Sequence, residues 1–101
     1  MDKMQEKTKK VLKELEKTRT KKWTPEIVLA YLMEEVGELS NAILVKEGLK
    51  HQNRKKANLT DSLCDVLFNL FILAEYYGID VEKEYQKVLE QLRKRMEKGE
   101  I

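Results

Sequence analysis

One cysteine and one proline among 101 residues set the first limits on this chain. The lone thiol, Cys64, excludes an internal disulfide. No secretory leader and no apolar run of membrane-spanning length is found, so the chain is expected to be cytoplasmic, with no membrane partner. β-Branched residues are a minority and Pro25 is the only proline, which argues for an all-α chain. Net charge is also nearly absent: 20 Lys and Arg against 18 Asp and Glu leave +2, so a purely electrostatic grip on nucleic acid is not indicated. There is no internal repeat and no low-complexity tail. At this length the chain reads as a single domain, residues 1–101, with room for a small core.

What is present is helix-forming sequence in four blocks. Residues 3–18 make a thinly amphipathic helix through Met4, Val11, Leu12 and Leu15, too sparse to stand without packing on something. Lys21, Lys22 and Trp23 form a short linker. Thr24 then reads as an N-cap with Pro25 behind it, opening a helix that runs to about Glu47 and stops at Gly48. A polar, basic stretch follows, and a third helix begins near Asn58 or Thr60 and closes at Gly78. Asp80 caps a fourth, about 81–97. The expected buried stripes are Val28, Leu32, Val36, Leu39 and Ile43 on the second helix and Leu63, Val66, Leu67, Leu70, Phe71 and Ala74 on the third. Val81, Tyr85, Val88, Leu89 and Leu92 form the stripe of the fourth. The middle helices are apolar around most of their circumference, more than two thin helices cover, which points to a homo-oligomer with two-fold symmetry.

The second helix also carries Glu34, Glu35 and Glu38, in a sector shared with Ile27, Tyr31, Ala42 and Val45 rather than with Lys and Gln. On the third helix Asp61, Asp65 and Asn69 recur at i, i+4 and i+8 on a stripe with Ile72 and Tyr76. Crowded carboxylates beside apolar neighbours need a counter-charge, and no Lys or Arg lies in the first sector before Lys46 at its edge. If the two helices pack antiparallel, Glu35 and Glu38 face Asp61 and Asp65, an all-oxygen donor set suited to Mg²⁺ or Mn²⁺. A wet acidic strip is the alternative, and Asp61 has its own, as the acid three residues into a helix capped by Asn58. Basic residues gather at 1–22, nine against four acids, and at 46–56, five against Glu47 alone. Two such segments beside an acidic cleft suit a metal-chelated polyphosphate, or else are simply solvated surface.

The pattern Glu34-Glu35-x-x-Glu38, a basic loop, and then a helix carrying Asp65 resembles the MazG-like all-α NTP pyrophosphatases, a superfamily that includes dimeric dUTPases, dCTP pyrophosphatases and phosphoribosyl-ATP pyrophosphatases. The resemblance spans about residues 19–97 and takes in Trp23-Thr24-Pro25 and Gly78-Ile79-Asp80. It implies a four-helix, bundle-like fold with its core at 24–97, completed by homodimerisation or by a dimer of dimers. The implied activity is Mg²⁺- or Mn²⁺-dependent hydrolysis of a nucleoside triphosphate to the monophosphate and pyrophosphate, a nucleotide-pool-cleaning reaction.

By the resemblance, Glu35, Glu38 and Asp65 match metal ligands, Glu34 matches the leading acid, and Asp61 stands beside the expected fourth ligand. Glu34, Glu35 and Glu38 make up the implied catalytic set. Ser62 departs from the pattern, which has Glu there. Either Asp61 substitutes, Ser62 acts through water, or the metal site is weakened, and the last option leaves a nucleotide-binding or protein-interaction module as the alternative function. Trp23 and Asn69 match substrate-contacting positions, although Trp23 also suits a hydrophobic staple over the second helix. Lys50, Arg54, Lys55, Lys56, Arg93 and Arg95 are candidate phosphate contacts, with Lys50, Lys55 and Arg95 foremost. His51 and Cys64 read as surface loop and core packing.

Overall fold

The computed structural model describes residues 3–18, 23–51 and 58–101. These form four helices, α1 (Met4–Thr18), α2 (Pro25–Lys46), α3 (Leu59–Tyr76) and α4 (Val81–Glu97), with no strand among the described residues. The all-α class expected from the sequence is the class observed. No single helix among the described residues is long and apolar enough to cross a membrane.

Local chemistry sets the helix ends. Thr24 is extended, with φ −121° and ψ 162°, and its hydroxyl accepts the Ile27 N–H at 3.3 Å. Pro25 follows at the position where a missing N–H costs nothing. Asn58 and Asp80 cap α3 and α4 likewise, accepting from Asp61 at 3.0 Å and Lys83 at 3.2 Å. α2 and α3 close on glycines of positive φ, Gly48 at +74° and Gly78 at +64°. In each case the following amide donates back five residues, Leu49 to Leu44 at 2.8 Å and Ile79 to Ala74 at 2.9 Å. That left-handed closure strains any residue with a Cβ.

α2 and α3 are the principal pair and run antiparallel. The Tyr76 hydroxyl at the end of α3 donates to the Trp23 carbonyl just before α2, at 3.1 Å, while Glu35 in mid-α2 meets Asp65 in the first half of α3. α1 packs chiefly along α3. Leu12, Val28 and Ile72, from α1, α2 and α3, make the core, with Trp23, Phe68, Leu73 and Tyr76 packed against it.

The N-terminal end of α1 is tied to the α3–α4 corner by Gln5, which is buried. Its Nε2 donates to the Ile79 carbonyl at 2.7 Å and to Glu75 at 2.9 Å, and its Oε1 accepts the Val81 N–H at 2.9 Å. Its own N–H donates to Glu82 at 2.7 Å. At this corner α4 turns by 108° from α3.

The expected stripes need correction. On α2, Val28 and Leu32 are buried and Leu39 half-buried, but Val36 and Ile43 are exposed. At about 100° per residue the face turned to α3 runs Val28, Leu32, Glu35, Leu39, Ala42, which leaves Val36 and Ile43 at one margin. On α3, Phe71 and Ala74 are buried and Val66 half-buried, but Leu63, Leu67 and Leu70 are exposed, as is Cys64, which had been expected in the core. α4 buries none of its residues fully, although Val81 is half-buried. On α1, Leu12 is buried while Met4 and Val11 are exposed. One cause covers these cases: within a single chain α1 and α4 leave the outer faces of the central pair uncovered.

Candidate functional site

The face of α2 that meets α3 has one acid at its centre, Glu35. Its helical phase, 20° from Val28 by the 100° rule, carries it into the seam. There its carboxyl lies within hydrogen-bonding range of Glu38, one turn on, and of Asp65 from α3. Its Oε2 is shut off from solvent and has no hydrogen-bond donor among the described residues. Burial first, and then the neighbouring Glu38 and Asp65 carboxylates, raise the Glu35 pKa above the ordinary carboxylate value of 4.5. Glu38 and Asp65 are themselves exposed, so the acids do not share a dry cleft; of the three only Glu35 is half-buried, with one oxygen shut off from water.

Beside these acids lies an open cleft of about 390 Å³, lined by Trp23, Tyr31, Glu35, Asp65, Phe68 and Asn69. One wall is aromatic: the Trp23 and Tyr31 rings stand 5.5 Å apart, tilted by 52°. Phe68 adds the third ring from α3. Asn69 is buried, and its Nδ2 donates to the Asp65 carbonyl at 2.9 Å, which fixes how the amide faces the cleft. Trp23 belongs both to this wall and to the packing over Val28, so the staple and the cleft-lining role coexist.

The other expected site residues are placed as follows. Glu34 is exposed on α2. Asp61 is exposed in the first turn of α3, its N–H held by Asn58, the position of a helix-capping acid. Ser62 is buried on the α3 face that continues through Asp65, Asn69, Ile72 and Tyr76. Lys50 and His51 are exposed after α2. Lys55, Arg54, Lys56, Lys21 and Lys22 lie outside the described residues. Arg93 is exposed on α4; Arg95, on the same helix, has its Nε 3.6 Å from Glu100 and is not among the residues lining the cleft. Tyr31 and Phe68 were missed as site residues. Their signal was spacing, Tyr31 one turn before Glu35 and Phe68 one turn after Asp65.

Among the described residues no set of three or more His, Cys, Asp or Glu side chains is gathered into a ready-made metal centre. In kind, however, the donors fit a hard divalent cation. They are carboxylate oxygens from two helices, and one buried oxygen lacks a protein donor.

Residues 23–99 match the model of the MazG nucleotide pyrophosphohydrolase domain. The chain belongs to the MazG family. A relative in Bacillus subtilis (strain 168), the uncharacterized protein YvdC, is 36% identical over 86 residues, 74% of this chain and 81% of the relative. Among solved structures, iMazG from Vibrio DAT 722 is 29% identical, covering 85% of this chain and 95% of that one at a TM-score of 0.49. The MazG match begins at Trp23 and includes every described residue that lines the cleft. α1, with Gln5 and Leu12, lies before the matched region.

Proposed function

We propose that this MazG-family chain is a metal-dependent nucleoside triphosphate pyrophosphohydrolase, cleaving NTP or dNTP with water to the monophosphate and pyrophosphate. The observation that carries the reading is the buried oxygen of Glu35, without a donor among the described residues and set beside Glu38 and Asp65 at the edge of an aromatic-walled cleft. Acids that repel one another at neutral pH beside a surface suited to a planar base call for a substrate that arrives with cations.

Glu35, Glu38 and Asp65 would hold Mg²⁺ or Mn²⁺, with Asp61 and Glu34 at the margin. When bound, the cation supplies Lewis-acid charge neutralisation at the polyphosphate and makes a bound water more acidic. The remaining roles belong to side chains. Trp23, Tyr31 and Phe68 offer ring faces to the base, and Asn69 offers an amide on a fixed helix face. Glu38, more exposed than Glu35, can accept a proton from an attacking water. Lys50 and Lys55, on the segment between α2 and α3, are placed in sequence to meet phosphate charge. Arg95 is kept as a phosphate contact only if a second copy of the chain brings it to the cleft. The active form is a homodimer, or a dimer of dimers, in the cytoplasm, acting on the nucleotide pool.

Ser62 favours a second reading. A buried hydroxyl where the family resemblance expects an acid leaves the cation one charge short, as in a relative that binds nucleotide without turnover. Pyrophosphate release from a panel of NTPs and dNTPs with Mg²⁺ or Mn²⁺ separates the two. The hydrolase reading expects metal-dependent release that falls about 100-fold or more in Glu38→Gln and in Asp65→Asn. No release from any member of the panel, with nucleotide still bound, sinks it in favour of the second.

A further inference from the structure

The cleft has two chemically different ends, aromatic at Trp23 and acidic at Glu35 and Asp65, and one hydrogen bond connects the first to the helix that carries the second. Trp23 precedes the N-cap of α2, whose ladder begins only with the Val28 amide on the Thr24 carbonyl at 3.0 Å. The Trp23 carbonyl therefore lies just outside the regular helix, and it receives the Tyr76 hydroxyl at 3.1 Å. Tyr76 closes α3, three turns after Asp65 on the same face, roughly 16 Å along one helix. Its ring packs on the Leu12–Val28–Ile72 core. Burial, with a further push from Glu16 of α1, raises the hydroxyl's pKa above its ordinary value of 10.0, so it stays a donor well into the alkaline range.

We propose that Tyr76 is the positioning residue of the cleft's aromatic wall. By holding the Trp23 carbonyl it fixes the peptide plane from which the indole projects, and so sets the affinity for the base of a nucleotide. Among the described residues, the Tyr31 ring at 5.5 Å from α2 bears on the indole itself, and the Tyr76 hydroxyl from α3 holds the backbone behind it. Because Tyr76 and Asp65 share one helix, α3 itself sets a separation between the base-holding and phosphate-facing ends. The base-holding part of this inference rests on the nucleotide reading; the link between Tyr76 and Trp23 does not.

Trp23 is the only tryptophan in the chain, so its fluorescence reports on the wall directly. The test compares the full chain with Tyr76→Phe, which keeps the packed ring and removes only the hydroxyl, and with Tyr77→Phe, an exposed neighbour. In the free protein, Tyr76→Phe should raise acrylamide quenching of Trp23, and Tyr77→Phe should not. Affinity for a non-hydrolysable nucleoside triphosphate should fall about three- to tenfold in Tyr76→Phe, while affinity for inorganic tripolyphosphate, which has no base, stays put. In turnover the loss should appear in KM, with kcat within about twofold. In a Trp23→Ala background Tyr76→Phe should have no further effect on nucleotide affinity. Unchanged quenching in Tyr76→Phe overturns the positioning link, and equal loss for nucleotide and tripolyphosphate overturns the base-specific role. If the unaltered chain binds no nucleotide, the base-holding part falls with the nucleotide reading, and the quenching comparison still decides the link.

Discussion

Glu35 is the acid whose environment sets it apart, and its titration has a defined sign. Protonation is favoured in the folded chain, because burial and the Glu38 and Asp65 carboxylates oppose its charge. The folded state therefore holds more protons than the unfolded state from about the ordinary value of 4.5 up to the raised one. Through that window metal-free stability falls as pH rises. Glu35→Gln, whose amide donates to either neighbour, should raise the metal-free melting temperature at neutral pH by a few degrees and flatten its pH dependence above the ordinary carboxylate value of 4.5. On the metal-dependent reading, Mg²⁺ should raise the melting temperature of the unaltered chain and not that of this variant. Scanning calorimetry across pH with chelator and with Mg²⁺ checks both, and a melting temperature lower in Glu35→Gln than in the unaltered chain at every pH would contradict the account. The acidic spacing on the two central helices was legible in the sequence. That Glu35 alone of these acids would have an oxygen shut off from water follows from its phase relative to Val28, and only once the direction of α3 is known. Tyr31 and Phe68 were harder to read, because an aromatic at helical spacing looks the same whether it fills a core or walls a cleft.

At the scale of elements, the boundaries were readable because they are decided within a few residues. Thr24, Asn58 and Asp80 accept amides three residues ahead, and Gly48 and Gly78 supply the left-handed stops. The stripes were misjudged because which face of a helix is buried is settled by its neighbour. Gln5 shows this most plainly. A polar residue in a lysine-rich segment gave no signal of burial, yet it gathers the Glu75 carboxylate, the Ile79 carbonyl and the Val81 amide at the corner where α3 gives way to α4. Removing its side chain leaves part-buried groups of that corner without this partner. Gln5→Ala should cost about 2 kcal/mol in urea denaturation, while Gln→Ala at exposed Gln91 costs a few tenths or less. Equal small losses at the two positions would mean that water replaces Gln5 at no cost.

The whole molecule is open for its size. Its radius of gyration is 16.9 Å, against about 13 Å for a compact domain of 100 residues. Its surface is 8495 Å², where a folded monomer of this mass exposes about 6,000 Å². Leu63, Leu67 and Leu70 of α3 and Tyr85, Leu89 and Leu92 of α4 are all exposed, and a groove of about 340 Å³ runs between the two helices past Leu67, Leu70 and Tyr85. The excess, roughly 2,500 Å² per chain, is at the upper end of what each partner loses in an obligate interface. This supports the self-association expected from the sequence. Sedimentation equilibrium should find the unaltered chain a dimer or larger, and Leu67→Glu should shift it towards monomer. A unaltered chain that sediments as a monomer would sink the two-fold arrangement. On that arrangement the wet stripe along α4 ties folding to abundance. Each newly made copy completes its interior only on meeting another, so the folded pool grows faster than the amount synthesised, and dilution alone is enough to loosen it.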